Sequence, residues 1–575
     1  LWQGHCSDCC VLFVVVFFQA EDVIRVLVRS RGLGDVYKRQ EVVVIGYGTQ
    51  RRREVTGAIT KVSGDKLNTI VSPSFESALQ GKAPGVQVLQ GNGLAGSGAV
   101  IRIRGIGSIS ASGDPLYVVD GIPIISDQFA RGNGGAMNQN PLASINPSDI
   151  ESIEILKDAG ATGIYGSRGA NGVVLITTKR GKSGKMTFNY STRMGAATYA
   201  KRQQFANTTE WLQLRQEAWQ NDGKVGQADL PGGYTFATAS PNNTDWWELL
   251  TQVGFIKEHN LSMTQGTDKL KTFANLSYSN NEGYIKTNSY QRLSARLNMD
   301  YKILHNLKVS LNSGYNRGTN KRVSAAWDGG IGDAMSSALP FYTPYNPDGS
   351  YFVNGANPVR KIQETKRREV NERYIGGLSF EYQPIKNLFV RANGSIEYIK
   401  GLDNIFETAN WINNPDSGYA KAFPYWGTNK NGNVTVNYLK NIGDNHKFNF
   451  LLGVEANEYV QKSYLFEIGQ FANEPFWKNP DTYKKRRDFF IQQRESQTPP
   501  QATEKADGEY TFNSFFSRIN YSYKDKIALQ LTARIDGSSK FGPNNKHGFF
   551  PAASAAWTLS EEDFIKNIKL SLIHI

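Results

Sequence analysis

The sequence predicts an all-β transmembrane barrel of roughly twelve antiparallel strands plus a partial one, preceded by an α+β domain. Three observations predict it. Beyond residue 183, apolar and polar residues alternate with period two over long stretches. The apolar row of each stretch lacks charge, whereas the opposite row carries Arg, Lys, Asp and Glu freely. The connections between stretches are short and long by turns, as in barrels with tight turns on one side of a membrane and large loops on the other.

Composition sets the frame. Charged residues are 20% and apolar residues 39% of the 575, which excludes a disordered chain. Glycine is abundant (56), and Tyr (27) and Phe (30) far outnumber Met (6), a balance that favours strands and turns. The longest apolar run, residues 11–18 (VLFVVVFF), is far short of the ~18 needed for a spanning helix. Any passage through a membrane must therefore use strands. The net charge of +13 is spread along the chain, with dense runs at Arg51-Arg52-Arg53 and at residues 484–487 (KKRR). This reads as solvated basic faces rather than a nucleic-acid groove.

The ends look foreign. Cys6, Cys9 and Cys10 are the three cysteines, and the Cys6–Cys9 spacing has no second pair and only His5 nearby to complete a metal or redox site. Residues 17–40 read as a translated sequencing adapter, as does the tail LSLIHI (570–575). Residues 1–40 and 570–575 are accordingly set aside as non-native. The remainder holds no cysteine, and the six histidines of the chain offer no coherent site, so no cofactor or metal centre is expected.

Next comes EVVVIGYGTQ (41–50), an apolar run that meets Gly46-Tyr47-Gly48. A dinucleotide fingerprint would need a third glycine where Arg51 stands, and an apolar helical stripe after it. Gly105-Ile106-Gly107 and the glycines at 160, 163 and 166 lack the Gly-Lys-Ser/Thr ending of a phosphate loop. All three read as tight turns.

Residues 55–182 form the α+β region. Residues 86–89 and 99–104 read as strands, the second ending at Arg104-Gly105. Residues 116–119 form another, closed by the turn pair Asp120-Gly121. Residues 152–156 alternate, Asp158 caps a brief helix over 159–165, and residues 172–178 form a last strand. The region has no His and no Cys, so no catalytic set can be assembled and an enzyme is not expected.

In residues 183–569 the alternation is explicit. Leu293, Ala295, Leu297, Met299 and Tyr301 form one row, and Leu307, Val309, Leu311, Ser313 and Tyr315 the next. Val390, Ala392, Gly394, Ile396 and Tyr398 form a third, and Ile527, Leu529, Leu531, Ala533 and Ile535 a fourth. None of these positions is charged, and a charge facing lipid at the midplane costs roughly 2–4 kcal/mol. A soluble or surface β-rich carbohydrate-binding sandwich would also alternate. Against it stand the number of strands and the pattern of connections, short at 304–306, 384–387 and 524–526 but long at 199–249, 317–368 and 461–508. Rows also tend to end in tyrosine, at Tyr301, Tyr315, Tyr382, Tyr398 and Tyr523, as rings do where lipid meets water.

Several segments resemble one family. EVVVIGYGTQ (41–50), PLYVVDGIP (115–123), IEILKD (153–158) and above all IYGSRGANGVVLITTKRG (164–181) are similar to SusC/RagA-type TonB-linked outer-membrane proteins. So is DGSSKFGPNN (536–545), followed by Phe549-Phe550-Pro551-Ala552. The resemblance implies a plug inside a barrel of about 22 strands, of which this chain would hold the plug and roughly the N-terminal half. It implies a tether at 41–54 whose TonB-box-like residues Glu41, Val42, Val43, Val44 and Ile45 pair with a sheet edge of TonB, itself energised by ExbB/ExbD. Glycines at 46 and 48 would leave that tether flexible. The plug would span 55–182, with motif residues Arg104, Gly105, Asp120, Gly121, Lys157, Asp158, Tyr165, Gly166, Arg168, Asn171 and Gly172.

Further expectations follow from the resemblance. The protein would sit in the outer membrane of a Gram-negative, Bacteroidetes-like cell, touching outer-membrane lipid and a SusD-like surface lipoprotein but no nucleic acid. It would import oligosaccharides or peptides; a receptor for metal chelates or vitamins is the alternative. Trp246, Trp247, Tyr342, Tyr345, Trp411 and Trp426, in or near long loops, are candidates to stack on sugar, with loop packing an equal alternative for each.

Overall fold

The computed structural model describes residues 42–562 and 13–14, except 68–73, 91–92, 108–112, 127–139, 203, 324–331, 333–336, 409–417, 465, 472–504, 543 and 545. Alternation produces a single antiparallel sheet of fourteen strands, two of which, Phe13–Val14 and Phe466–Phe471, are short pieces. The other twelve pair in chain order, each with its sequence neighbour.

Before the sheet come a hairpin, β1 (Val42–Ile45) with β2 (Gly48–Arg51), and a small domain. That domain contains β3 (Ile59–Ser63), β4 (Val86–Gln90), β5 (Ala99–Ile103), β6 (Leu116–Val119), β7 (Ile122–Pro123), β8 (Ile150–Leu156) and β9 (Val173–Thr178). β4 pairs with β5, and the remaining five form one sheet in the order β3-β8-β9-β6-β7. β6 and β9 run parallel and the other pairs antiparallel. The predicted turn between β6 and β7 is present: Asp120 (φ 50°) and Gly121 (φ 85°) both take the left-handed conformation that a two-residue hairpin requires. Asp158 caps the helix as expected, accepting from the Ala161 amide at 3.0 Å. The helix itself is shorter than read, Ala159–Thr162, and gives way to a 3-10 segment broken at Gly166.

The wall comprises β10 (Gly184–Ala197), β11 (Gly254–Gly266), β12 (Leu270–Glu282), β13 (Ser289–Leu304), β14 (Leu307–Arg322) and β15 (Thr365–Ile385). It continues as β16 (Leu388–Glu407), β17 (Gly418–Ile442), β18 (His446–Tyr464), β19 (Lys505–Tyr523), β20 (Ile527–Ser538) and β21 (His547–Trp557). Its polarity is inverted relative to a soluble fold. Leu293, Leu297, Ile396, Leu529, Leu531 and Ile535 are exposed, whereas Arg292, Asn298, Glu397, Arg534 and Asp536 are buried. The exposed face is the lipid-facing side of a barrel wall, and the small domain lies against the polar face. A sandwich would have buried the leucines instead.

Tyrosines mark two levels on the exposed face. Tyr315, Tyr374 and Tyr398 are register partners on β14, β15 and β16. Tyr301, Tyr382 and Tyr438 lie near the short turns. Tyr374 and Tyr382, both on β15, are eight residues apart, about 27 Å along the strand at ~3.4 Å per residue. Tilted by roughly 40°, that length covers most of a ~25 Å apolar band.

The strands outrun the sequence expectation. β14 continues to Arg322 and β15 begins at Thr365, so the loop read as 317–368 is shorter. Above the upper tyrosines the outward positions become charged, which hides the alternation but leaves the backbone pairing intact. The loops at 198–253 and 323–364 are not plain coil. Helices Thr208–Asn221, Trp246–Leu250 and Pro358–Glu364 share an apolar core with Leu212, Phe341, Tyr342 and Phe352. The helices in this cap were not anticipated from the alternating pattern.

Inside the plug, burial raises the pKa of two carboxylic acids, Glu76 and Glu154. Glu76, on the one-turn helix Phe75–Ala78, is fully buried. Burial pushes its carboxyl up to about 7, against partial relief from Ser74 and Asn140. The group thus stays protonated in the folded plug while an unfolded chain ionises near ~4.3, and stability is lost as pH rises between those values. Glu76→Gln in the intact receptor should raise plug stability by up to about 3 kcal/mol above pH ~7 and change little below pH ~4. Thermal unfolding of the plug followed across pH checks both the sign and the window.

Candidate functional site

The site is the junction where hairpin, plug and wall meet. Its centre is Glu455, on the inward row of β18 and almost wholly shielded from solvent. Arg168 of the plug donates to both Glu455 oxygens at 2.8 Å. Arg534 of β20 donates to Oε2 at 2.8 Å, and the Tyr47 hydroxyl at 2.6 Å. Asn431 of β17 donates to Oε1 at 2.7 Å. Four donor groups making five hydrogen bonds to one carboxylate satisfy a charge that would otherwise be prohibitively buried.

The junction extends along β20. Arg534 Nη1 donates to the Ile164 carbonyl of the plug at 2.7 Å, and its Nε to Asp536. Asp536 in turn accepts from the Ser167 amide at 3.1 Å. The glycine between Tyr165 and Ser167 is what permits this approach. Gly166 has φ 58°, and a Cβ there would lie 2.0 Å from Asp536 Oδ2. Burial would lower the Arg168 pKa, but Glu455 and Tyr47 together outweigh it and hold the guanidinium charged. Burial, and then Glu455, keep the Tyr47 hydroxyl protonated far above its ordinary range.

Hairpin β1–β2 is clamped into this junction through its turn. Arg518 of β19 donates to the Gly46 carbonyl at 3.0 Å. Tyr47 (φ 59°) packs on Phe516 with ring centroids 4.4 Å apart and stacks on Tyr165 at 5.8 Å. Val43, Ile45 and Gln50 are buried. This corrects the expectation of a flexible tether. Gly46 supplies close packing rather than freedom, since a Cβ would meet Ile164 at 2.4 Å. Glu41 lies outside the described residues.

Further contacts hold the plug to the wall, three groups of them ionic. Arg193 and Glu258 close on Ser148 at 2.9 and 3.1 Å. Arg296 bridges Asp120 at 3.6 Å and Asp149 at 3.3 Å, beside the Arg180–Asp300 pair at 3.1 Å. Arg373 and Glu397, themselves paired, grip the backbone of Ile125: Arg373 donates to its carbonyl, and its amide donates to Glu397 at 2.9 Å.

The sequence-predicted residues divide accordingly. Tyr165, Gly166 and Arg168 belong to the junction, and Asp120 reaches the wall through Arg296. Asp158 and Lys157 are internal braces of the plug: Asp158 accepts from the Ala58 amide at 2.7 Å, and Lys157 donates to the Pro84 carbonyl at 2.9 Å. Arg104, Gly105, Gly121 and Gly172 hold positive-φ turns, and Asn171 half-buries beside Asp114. Trp246 and Tyr342 are buried in the loop core, where the Trp246 indole donates to the Leu339 carbonyl at 2.9 Å. Trp247 stands edge-on to Tyr199 and lines a loop cavity of about 360 Å³ with Arg202 and Asp245. Tyr345 stacks on Tyr351. Trp426 shares the outward face of β17 with exposed Lys430, not the lumen. Trp411 lies outside the described residues. Glu455, Arg518, Arg373 and Glu397 were not singled out from sequence, although Glu397 stood in the polar row opposite Val390–Tyr398. Among the described residues no group of three or more His, Cys, Asp or Glu could hold a metal.

A plug braced inside a strand-built wall defines a class, and comparison bears this out. Residues 51–173 match the family profile TonB-dependent Receptor Plug Domain. The chain is 32% identical over 543 residues to TonB-dependent receptor P26 of Formosa agariphila, covering 92% of this chain and 51% of that protein. It is 29% identical to TonB-dependent receptor SusC of Bacteroides thetaiotaomicron, covering 92% of this chain and 52% of that one. Its fold matches the RagAB peptide transporter with a TM-score of 0.74 at 24% identity, over 89% of this chain and 58% of that chain. The chain thus belongs to the TonB-dependent receptors, a family of outer-membrane β-barrels with a plug. Within that class it belongs to the SusC/RagA type. The chain spans about half the length of the curated relatives it matches.

The junction's strength is testable. In the intact receptor, Glu455→Gln should cost about 3–5 kcal/mol of plug anchorage by stranding Arg168 and Arg534. Hydrogen exchange should accelerate in residues 159–172 and stay unchanged around 116–125, which other contacts hold. Gly166→Ala should reproduce the pattern.

Proposed function

We propose that the protein imports oligosaccharides or peptides across the outer membrane by TonB-dependent active transport, making and breaking no covalent bond. The observation that carries this is the placement of the apolar strand Val42–Ile45, whose turn docks on Glu455 and Arg518. A pull applied to that strand bears first on the junction between plug and wall. The apolar β-branched run suits strand addition to a partner's sheet edge, with TonB, driven by ExbB/ExbD, as that partner.

Substrate capture would lie with the outer loops, where the aromatic cap between β10 and β11 and between β14 and β15 is built, with a SusD-like lipoprotein closing over it. The oligosaccharide reading is supported by the SusC relative and the peptide reading by the RagAB likeness. Co-purification of the intact receptor with a SusD-like lipoprotein separates both from a receptor for metal chelates or vitamins.

Val43→Pro removes a backbone donor from the strand. In the intact receptor it should reduce uptake of labelled substrate to the level of cells lacking TonB, while binding at the cell surface is retained. Uptake at the unaltered rate would refute the role given to this strand.

A further inference from the structure

On the exposed face of β14 to β16, charge begins abruptly above the upper tyrosines. Two residues beyond Tyr315, Tyr374 and Tyr398 lies a continuous cross-strand row: Arg317, Glu372, Lys400, Trp426 and Lys462 are successive register partners. Two rows further on, Lys321 pairs with Arg368 on the same face. Five cations therefore share this patch with one carboxylate. Glu372 is already divided between Lys400 at 3.0 Å and Arg317 at 3.8 Å, and both those basic side chains remain more than half exposed. Among the described residues, the buried Nε of Arg368 has no hydrogen-bond partner. Trp426 packs against Tyr464 beside Lys462, so the patch also offers ring surface.

Below the tyrosines the outward faces of β14 to β16 carry Leu311, Leu378, Phe380 and Ile396 without charge, and on β17 and β18 the mutually paired Lys430 and Glu458 (2.7 Å) precede the uncharged stretch that includes Val434, which fixes the hydrocarbon on that side. The basic patch thus lies one step outside the apolar band, at the level of lipid headgroups. It is also on the side of the long loops, which face the cell exterior in barrels of this kind.

We infer that this patch binds a phosphate-bearing glycolipid headgroup of the outer leaflet, with Arg317, Lys321, Arg368, Lys400 and Lys462 contacting the phosphates. Its acyl chains run down the apolar wall beneath Tyr315, Tyr374 and Tyr398. The occupant is a lipid rather than a free anion because the charged rows continue directly into the lipid-facing surface. Each basic residue near an anionic membrane surface strengthens binding by roughly fivefold.

The test uses the intact receptor in phosphatidylcholine nanodiscs doped with lipid A, with native mass spectrometry counting the retained lipid A. Joint replacement of the five basic residues by Gln should lower retention at least ~tenfold. Replacing Arg317 and Arg368 by Lys should preserve it, as should Lys201→Gln with Lys224→Gln, which alter charge in the loops. Heat-modifiable gel mobility confirms that each variant is folded. Unchanged retention in the five-residue variant would overturn the inference. So would equal loss in the loop control, equal retention of dephosphorylated lipid A, or displacement of lipid A by inorganic phosphate at equal phosphate concentration.

Discussion

The constraint on which this structure depends is that a strand crossing a bilayer has two faces and only one of them can meet hydrocarbon. Backbone pairing satisfies the peptide groups, so the wall is tolerated in lipid. The price is an interior face of Arg292, Arg373, Glu397, Glu455, Arg534 and Asp536 that cannot be left unmatched. The plug supplies the matches. Much of what it offers is main chain: the carbonyls of Ile164, Ile125 and Ala143 accept from wall arginines, and the amides of Ser167 and Ile125 donate to wall carboxylates. Backbone groups do not depend on side-chain identity, although the tightest approach still requires a glycine. At Gly166 a single methyl group would strike Asp536.

The same constraint decides what was legible in the sequence. Wall strands are local objects: alternation, a charge-free row and a tyrosine at its end can be read from one segment alone. Turns such as Asp120-Gly121 are local as well. The hairpin at 42–51 was not legible as a docked element, because what clamps it are Glu455, Arg518 and Phe516, more than 400 residues away in sequence. An apolar run before glycines describes a free tether and a packed hairpin equally well. Loop aromatics failed for a related reason. Trp246 and Tyr342 come from separate loops and meet only after β10–β11 and β14–β15 have paired, so their shared core leaves no mark in either segment. Trp426 lies instead on β17 above the bilayer, in register with Lys400 and Lys462, where strands persist after hydrocarbon ends.

Anchorage of the plug is unevenly distributed, and that bears on the proposed transport. The grips on Ile125, Ser148 and Asp149 hold the sheet core and its flanks to β10–β16. The Glu455 junction holds residues 164–168 to β18 and β20. Polar contacts from the hairpin turn to the wall run to Glu455 and Arg518, both in that second region. Tyr47 also shares one carboxylate oxygen with Arg534, so its departure loosens the coordination of the same group that binds Arg168. A load entering at Val42 is therefore delivered to one side of the plug while the β6–β9 sheet keeps its own contacts. The arrangement favours opening at the β18–β20 side over extraction of the plug as a whole, because the two sets of contacts share no side chain.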